Sequence, residues 1–539
     1  MLLYAYLFII IALSSIAHFP ILKQVLTEDD GNWFYIAVFR KRGLYNLIIK
    51  NNKLYWGDAF FNLKTIFQYI YFIFNQEDAF FSKKVKYFWY IVTDLALFCC
   101  TYLIWTNIHL SLIISIIYII MIAQPNSYGD LTYAEFFAVL PFLLSITLFY
   151  MGVNQSSIIL ILVSGMFASL TYQFSPVYLF IMLLPLFHHD HLLLEYACFI
   201  GGFLFLLALP YLIILIVSDQ KMRNIKEYTN SISLYYISFY YVLKNRVFRK
   251  KQKDNAVKSK TGTSLYIEGN WDAHYGIKDE INKFLTKYLF ATTNTLIFTF
   301  LALVSLFFIR EGLLLFFLYI IPLNTLVVFM QKAYHTPKLG FFHFPLAVLS
   351  GHFVYNSLIA TSHISKTFII SLLAFCLFQA VKAIVLKLKK ENRVYISNIQ
   401  PGSQIMYNLS VEVGNYIKER TKKDDYIYVY GNFPSIYIIS QRQNITSKQF
   451  SFPNRKQNLE NFKAITKNWA MHGSPVYFVD FNNVCYDAWK ANQVFDYIGV
   501  KYIPEKIYGI KDNSGQRFYM FPGLPYKFIA YRLDDYYFI

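Results

Sequence analysis

Charge is scarce in this chain. Only 15% of its 539 residues are Asp, Glu, Lys or Arg, against about a quarter in an ordinary soluble domain. Cysteine is scarce as well, at five residues. Cys99, Cys100, Cys198 and Cys376 fall in apolar runs and Cys485 stands alone in the polar C-terminal part, with no CxxC spacing. That excludes a disulfide framework and a zinc ribbon, and it leaves the redox compartment open. No Walker loop, GxGxxG, GxSxG or HExxH occurs, so the chain carries none of the usual nucleotide, serine-hydrolase or metalloprotease signatures. The opening stretch, Met1 to Phe19, is apolar but lacks a basic leader and a small-x-small cleavage site. It reads as a retained first span rather than a removed signal peptide. There is no internal repeat, and no low-complexity tract beyond a bias toward Tyr, Phe, Ile and Leu.

What the chain has is apolar length. Hydrophobic residues make up 56% of it and aromatic residues 20%. Crossing a bilayer takes roughly 20 apolar residues, or about 17 at the short end. Suitable windows lie near 3–20, 87–106, 108–123, 134–152, 157–172, 176–187, 193–217, 289–309, 312–331, 341–360 and 366–388. The expected fold is therefore an α-helical polytopic membrane protein of about eleven spans over residues 1–388. Windows 157–172 and 176–187 are short and barely separated by Gln173-Phe174-Ser175-Pro176, which suits a kinked or re-entrant pair.

Basic residues outnumber acidic ones, 50 to 32, for a net charge of +18. The excess sits in the loops and the C-terminal region and no RNA- or DNA-binding motif accompanies it, so the implied partner is anionic or phosphate-bearing lipid rather than nucleic acid. After Lys390 the composition turns polar. Gln404 to Arg420 has helical periodicity, while Tyr426 to Tyr430 and Pro475 to Asp480 read as buried strands. Residues 389–539 are accordingly expected to form a small α/β domain.

An odd span count, with the N-terminus cytoplasmic, puts 21–86, 124–133, 173–175, 218–288, 332–340 and everything after 389 on one outer face. The positive-inside rule argues the other way, since Arg40, Lys41, Arg42 and Arg249-Lys250-Lys251 would then lie outside.

The candidate chemistry sits in those outer segments. Glu28, Asp29 and Asp30 follow the first apolar window directly. Adjacent carboxylates at a bilayer edge repel one another and lose solvation; one can act as a general base while a second tunes it or holds a divalent cation. The competing reading is a solvated boundary turn. Asp130 precedes a span and either flanks a substrate or caps the helix that follows, and Glu135 suits the first turn of that helix. Lys332, His335 and Lys338, in Gln331 to Lys338, could clamp a phosphate or, for the lysines, merely snorkel to the interface. Asp94 lies within a span, where an acid is a functional candidate by default and a partner on a neighbouring helix is expected. His188-His189-Asp190-His191 has metal-site composition but sits in a tight turn on the opposite face.

The order of these features resembles the GT-C superfamily of integral-membrane glycosyltransferases, which includes protein O-mannosyltransferases and the aminoarabinose transferases of lipid A. An acidic pair after the first span followed by aromatics is matched by Asp29-Asp30-Gly31-Asn32-Trp33-Phe34-Tyr35. Asp130 corresponds to the second-loop acid. Tyr334-His335-Thr336-Pro337-Lys338 up to Pro345 is similar to the basic, aromatic stretch that enters a later span. Tyr416 to Thr421, Asp424 to Asn432 and Pro434 to Arg442 are similar to the outer domain of bacterial members. The resemblance implies a polyprenyl-phosphate sugar donor, inversion at the anomeric carbon, and a glycan, lipid or protein acceptor. It also implies a bacterial plasma-membrane location with the C-terminal domain extracytoplasmic. On it Asp29 would be the base, Asp30 its acidic partner, and Lys332, His335 and Lys338 phosphate contacts. Rival expectations are a transporter or flippase for a lipid-linked or anionic substrate, which should carry an inverted repeat, and a non-catalytic scaffold.

Overall fold

The computed structural model describes residues 1–23, 81–124, 134–187, 192–217, 292–305, 311–330, 342–359, 363–388, 403–430, 434–444, 475–482, 502–509 and 527–533, with isolated positions 222, 225 and 307. Helix α1 (Leu2–His18) runs into a 3-10 turn (Phe19–Lys23). Helices α2 (Phe81–Trp105), α3 (Ile108–Ile122), a short α4 (Ala134–Phe137), α5 (Val139–Asn154) and α6 (Ile158–Phe174) follow. A 3-10 segment (Pro176–Phe187) precedes α7 (Leu192–Val217), α8 (Thr293–Ser305), α9 (Gly312–Met330), α10 (His343–Ile359) and α11 (His363–Leu388). Each apolar window thus carries a helical segment.

Three helical stretches, Leu2–Leu22, Lys83–Trp105 and Lys366–Leu388, are long and apolar enough to cross a membrane. Others are apolar but shorter. The 15 residues of α3 rise only about 23 Å, short of the roughly 30 Å hydrocarbon thickness. The outward faces match a lipid environment: on α1 Tyr4 and Phe8 are 76% and 72% exposed, and on α11 Phe368 and Phe378 are both 64% exposed. Rows of large apolar side chains at such exposure are unfavourable in water.

Local chemistry explains the turns. Thr106 adopts a left-handed backbone (φ 51°) that stops α2. Asn107 then caps α3, its Oδ1 accepting from the amides of His109 and Leu110 at 3.1 and 3.0 Å. The break before the 3-10 segment falls at Ser175, which is extended (φ −150°, ψ 117°) because a residue before proline is disfavoured in the α region. Tyr178 inside that segment is also non-helical. The kinked pair expected from the sequence is therefore an α-helix followed by a 3-10 segment.

Packing between helices relies on small residues and paired hydroxyls. A Cβ at Gly165 would sit 1.9 Å from the Phe199 carbonyl oxygen, and one at Gly202 would sit 1.9 Å from that of Leu162. The two glycines therefore let α6 and α7 touch backbone to backbone, as close helix pairs in lipid do. Ser145 and Ser164 each donate to the other's carbonyl, at 3.0 and 2.6 Å, and so join α5 to α6.

Beyond the bundle lie α12 (Ser403–Arg420), β1 (Tyr426–Tyr430), α13 (Pro434–Ser440), β2 (Gln443–Asn444), β3 (Tyr477–Asn482), β4 (Tyr502–Gly509) and β5 (Lys527–Leu533). The strands form one sheet in the order β2-β1-β3-β5-β4. β1 is parallel to both β2 and β3, and β5 is antiparallel to both β3 and β4. Ile427, Tyr428, Val429, Tyr477, Phe478 and Val479 are all buried, so successive residues are covered on both faces, as in an α/β sheet. Arg442 ties the helices to the sheet: its guanidinium donates to Thr421 Oγ1 at 2.7 Å and to the carbonyls of Lys418 and Ser440, both at 2.9 Å. Those carbonyls end α12 and α13, which have no further helical donors. The expected boundary at residues 388/389 borders a segment outside the described residues.

Candidate functional site

One end of the bundle gathers polar side chains that an apolar interior would ordinarily exclude. Helix α2 carries Lys83, Lys86, Tyr90 and Asp94, spaced three, four and four apart and so on one face of a helix. All four are buried, at 1% exposure or less. From Lys83 to Asp94 the stripe descends about 16 Å, half the thickness of a hydrocarbon core.

Asp94 is met from α1. Its Oδ2 accepts from Ser14 Oγ at 2.6 Å and lies 3.1 Å from His18 Nε2. Its Oδ1 has no hydrogen-bond partner among the described residues. Ser14 and His18 stand four residues apart on α1, which places both on the face turned to α2. The expectation that Asp94 pairs with a neighbouring helix therefore holds. The imidazole of His18 also stacks on the Tyr90 ring, with centroids 4.6 Å apart and planes at 12°. Lys86 Nζ lies 5.6 Å from the same ring's centroid, within cation–π range.

From Tyr90 the aromatic contacts continue across the bundle. Tyr90 meets Phe136 of α4 at 6.1 Å, and Phe136 meets His343 of α10 at 6.4 Å. Ile21 of the 3-10 turn joins Tyr90 and Phe136 in a small buried cluster. Four chain segments therefore meet here: the end of α1 with its 3-10 turn, the first half of α2, α4, and the start of α10. His343 is buried too, at 5% exposure. The cluster brings together groups able to hold or pass a proton (His18, Asp94, His343) and two buried lysines (Lys83, Lys86). Burial strengthens the field of each on any charge admitted beside it.

The sequence-derived site residues Asp29, Asp30, Asp130, Lys332, His335 and Lys338 lie outside the described residues, as do Glu28 and the His188 to His191 run. Glu135 falls in the first turn of α4. Among the described residues no group of three or more His, Cys, Asp or Glu side chains could hold a metal ion. His18, Lys83, Lys86 and His343 were not singled out from the sequence. The signal was present for two of them, since 83, 86, 90 and 94 mark one helical stripe.

The other end of α2 is tied down differently. Trp105 Nε1 donates to Glu311 at 3.2 Å, Asn107 donates to the Tyr355 hydroxyl, and the Tyr6 hydroxyl bonds His109 Nδ1 at 2.9 Å. These groups brace short turns between helices. Comparison with known proteins returns no matching family model and no matching curated protein.

Proposed function

We propose that the protein is a multi-pass membrane glycosyltransferase of GT-C type. It transfers a sugar, with inversion, from a polyprenyl-phosphate donor to a glycan, lipid or protein acceptor. The observation that supports this reading best is the convergence at one bundle end. The segments bearing the candidate acids and phosphate contacts are attached there: 24–80 between Lys23 and Phe81, 125–133 ahead of Ala134, and 331–341 ahead of Phe342. Asp29 is six residues past Lys23, Asp130 four before Ala134, and Lys338 four before Phe342. At no more than about 3.5 Å per residue, they lie within roughly 21, 14 and 14 Å of those anchors.

On this reading Asp29 takes the proton from the acceptor group as it attacks the anomeric carbon, and Asp30 and Asp130 stand beside it. The leaving polyprenyl phosphate is neutralised by Lys332, His335 and Lys338, with Lys83 and Lys86 adding positive field from inside the bundle. The lipid tail runs along the apolar helices, so about eleven spans and an extracytoplasmic C-terminal sheet complete the arrangement. A divalent cation would be held by the paired carboxylates of the first loop and would neutralise charge on the donor phosphate.

A transporter of a lipid-linked or anionic substrate is the second reading, favoured by the His18–Asp94 pair inside the bundle, since intramembrane ionisable pairs mark proton and substrate pathways. The purified protein in liposomes, supplied with polyprenyl-phosphate-linked radiolabelled hexose and a cell-envelope glycan extract, separates the two. Appearance of label in the glycan with release of free polyprenyl phosphate is the expected result. Movement of intact donor between leaflets with no cleavage would replace the enzyme reading by the transporter.

A further inference from the structure

We infer that water reaches Asp94 from one side of the bundle only. A water molecule held between Asp94 and Tyr118 ends a polar path that starts at Lys83, and an apolar layer one helical turn further on closes that path. The site goes beyond the transferase reading and does not depend on it. Three helices set its level. Ser14 of α1 donates to Asp94 of α2 at 2.6 Å. Asp94 lies 11 residues before the end of α2 at Trp105, and Tyr118 lies 10 after the start of α3 at Ile108. The tight turn at Thr106 and Asn107 joins these two helices, so both residues stand about 15 Å from it. α1 runs alongside α3, with Tyr6 bonded to His109 near the same turn. The Tyr118 phenol accordingly lies within the field of Asp94, and also of Tyr178 in the 3-10 segment.

Two oxygens at this level are unsatisfied. Asp94 Oδ1 and the Tyr118 hydroxyl are both fully buried, and neither has a hydrogen-bond partner among the described residues. A buried polar atom left bare costs its desolvation, and the great majority of such atoms in folded proteins are paired with protein or with ordered water. Two polar groups at one level meet the minimum that an internal water needs, and the water bridges Oδ1 to the phenol. The other carboxyl oxygen is already engaged, since Oδ2 meets Ser14 and His18.

The surroundings differ above and below. Toward Lys83 they stay polar. His18 follows Ser14 on the same face of α1, and Tyr90, Lys86 and Lys83 continue the stripe on α2. His343 joins it through Phe136. Toward the turn they become apolar at once. Ile10 on α1, Leu97 and Phe98 on α2, and Ile114 on α3 are all at 0% exposure and belong to the main apolar core. They stand three or four residues from Ser14, Asp94 and Tyr118, and so directly beneath them. Two hydroxyls on this side bond their own helices: Thr101 donates to the Leu97 carbonyl at 2.7 Å and Ser115 to that of Ser111 at 2.9 Å. Neither is left to carry water past the layer. An acid so placed exchanges protons with one membrane face alone, as an intramembrane proton relay requires.

X-ray radiolytic hydroxyl labelling of the full-length protein in nanodiscs tests the site, with radicals formed from bound water as the probe. Tyr118 is expected to oxidise at least about tenfold faster than Phe98, an equally buried ring one turn below Asp94. Similar rates for the two rings would overturn the inference: both fast removes the closing layer, and both slow removes the water. Tyr118→Phe gives an independent reading. Where the hydroxyl holds a water to Asp94, its loss lowers the unfolding midpoint. An unchanged or raised midpoint would mean that the hydroxyl stood bare in the native protein, and the site would fall. Sugar transfer in liposomes is read separately, so this site and the transferase reading can each fail without the other.

Discussion

Replacing His18 with leucine is expected to destabilise the bundle by about 3 kcal/mol, the upper end of the cost of leaving a buried polar group without its partner. The substitution removes the 3.1 Å contact to Asp94 and the stack on Tyr90. It leaves a fully buried carboxylate with Ser14 as its remaining hydrogen-bond partner among the described residues. A hydrogen bond between neutral groups in a bilayer interior is worth about 0.6 kcal/mol on average and at most about 1.7. A loss below that ceiling would reduce the His18–Asp94 contact to an ordinary interhelical hydrogen bond. The double variant, with Asp94→Leu added, is expected to recover most of the loss, because replacing both partners of a buried polar pair by well-packed apolar groups is often nearly neutral. Unfolding in mixed detergent micelles of wild type, both single variants and the double variant closes the cycle.

The second large effect is on chemistry. Asp29→Asn is expected to lower sugar transfer by about 10²–10⁴-fold, the usual contribution of a positioned general base. Asparagine keeps the size and most of the hydrogen bonding of the side chain but cannot accept a proton. Folding should be unaffected, since Asp29 stands outside the apolar windows. Elution as a single species and an unchanged unfolding midpoint would verify that. Transfer within a factor of a few of wild type would remove Asp29 as the base. Asp30→Asn is expected to cost less, because its assigned role is to tune its neighbour.

The helical body was legible because apolar length is a direct physical requirement of a bilayer, and the eleven windows each coincide with a helical segment. Their edges were less legible. α2 begins at Phe81, not near 87, because Lys83 and Lys86 are buried within the helix and a hydropathy reading sets lysines outside. The window 134–152 is divided into α4 and α5 at Ala138, three residues before Pro141, which has no N–H to bond the Phe137 carbonyl and so marks the break in the sequence. In the C-terminal part, α12, β1 and β3 fall close to the stretches read from periodicity. β4 and β5 were not anticipated. β4 contains Pro504 with a register shift beside it, and proline in a run argues against a strand unless the strand is at an edge, which is where β4 lies.

The candidate site was legible only in part, for a different reason. Lone polar residues in apolar runs, such as His18 and His343, look like span boundaries when read along the chain. Their significance depends on which helix each one faces, and the ring contacts from His18 through Tyr90 and Phe136 to His343 supply that. The acids and cations in the connecting segments were singled out by residue type and position alone, and they lie outside the described residues.

The attachment of those segments at one bundle end is the centre of the account, and chemical cross-linking tests it most directly. In a background freed of native cysteines, Asp29→Cys, Asp130→Cys and Lys338→Cys are combined in pairs and treated in native membranes with a bifunctional maleimide about as long as a disaccharide. The account predicts that all three pairs cross-link within the chain, and that polyprenyl phosphate slows the reaction of pairs containing Lys338→Cys. Cysteines that each react with a monofunctional maleimide yet never join to one another would place these residues in separate sites and contradict it.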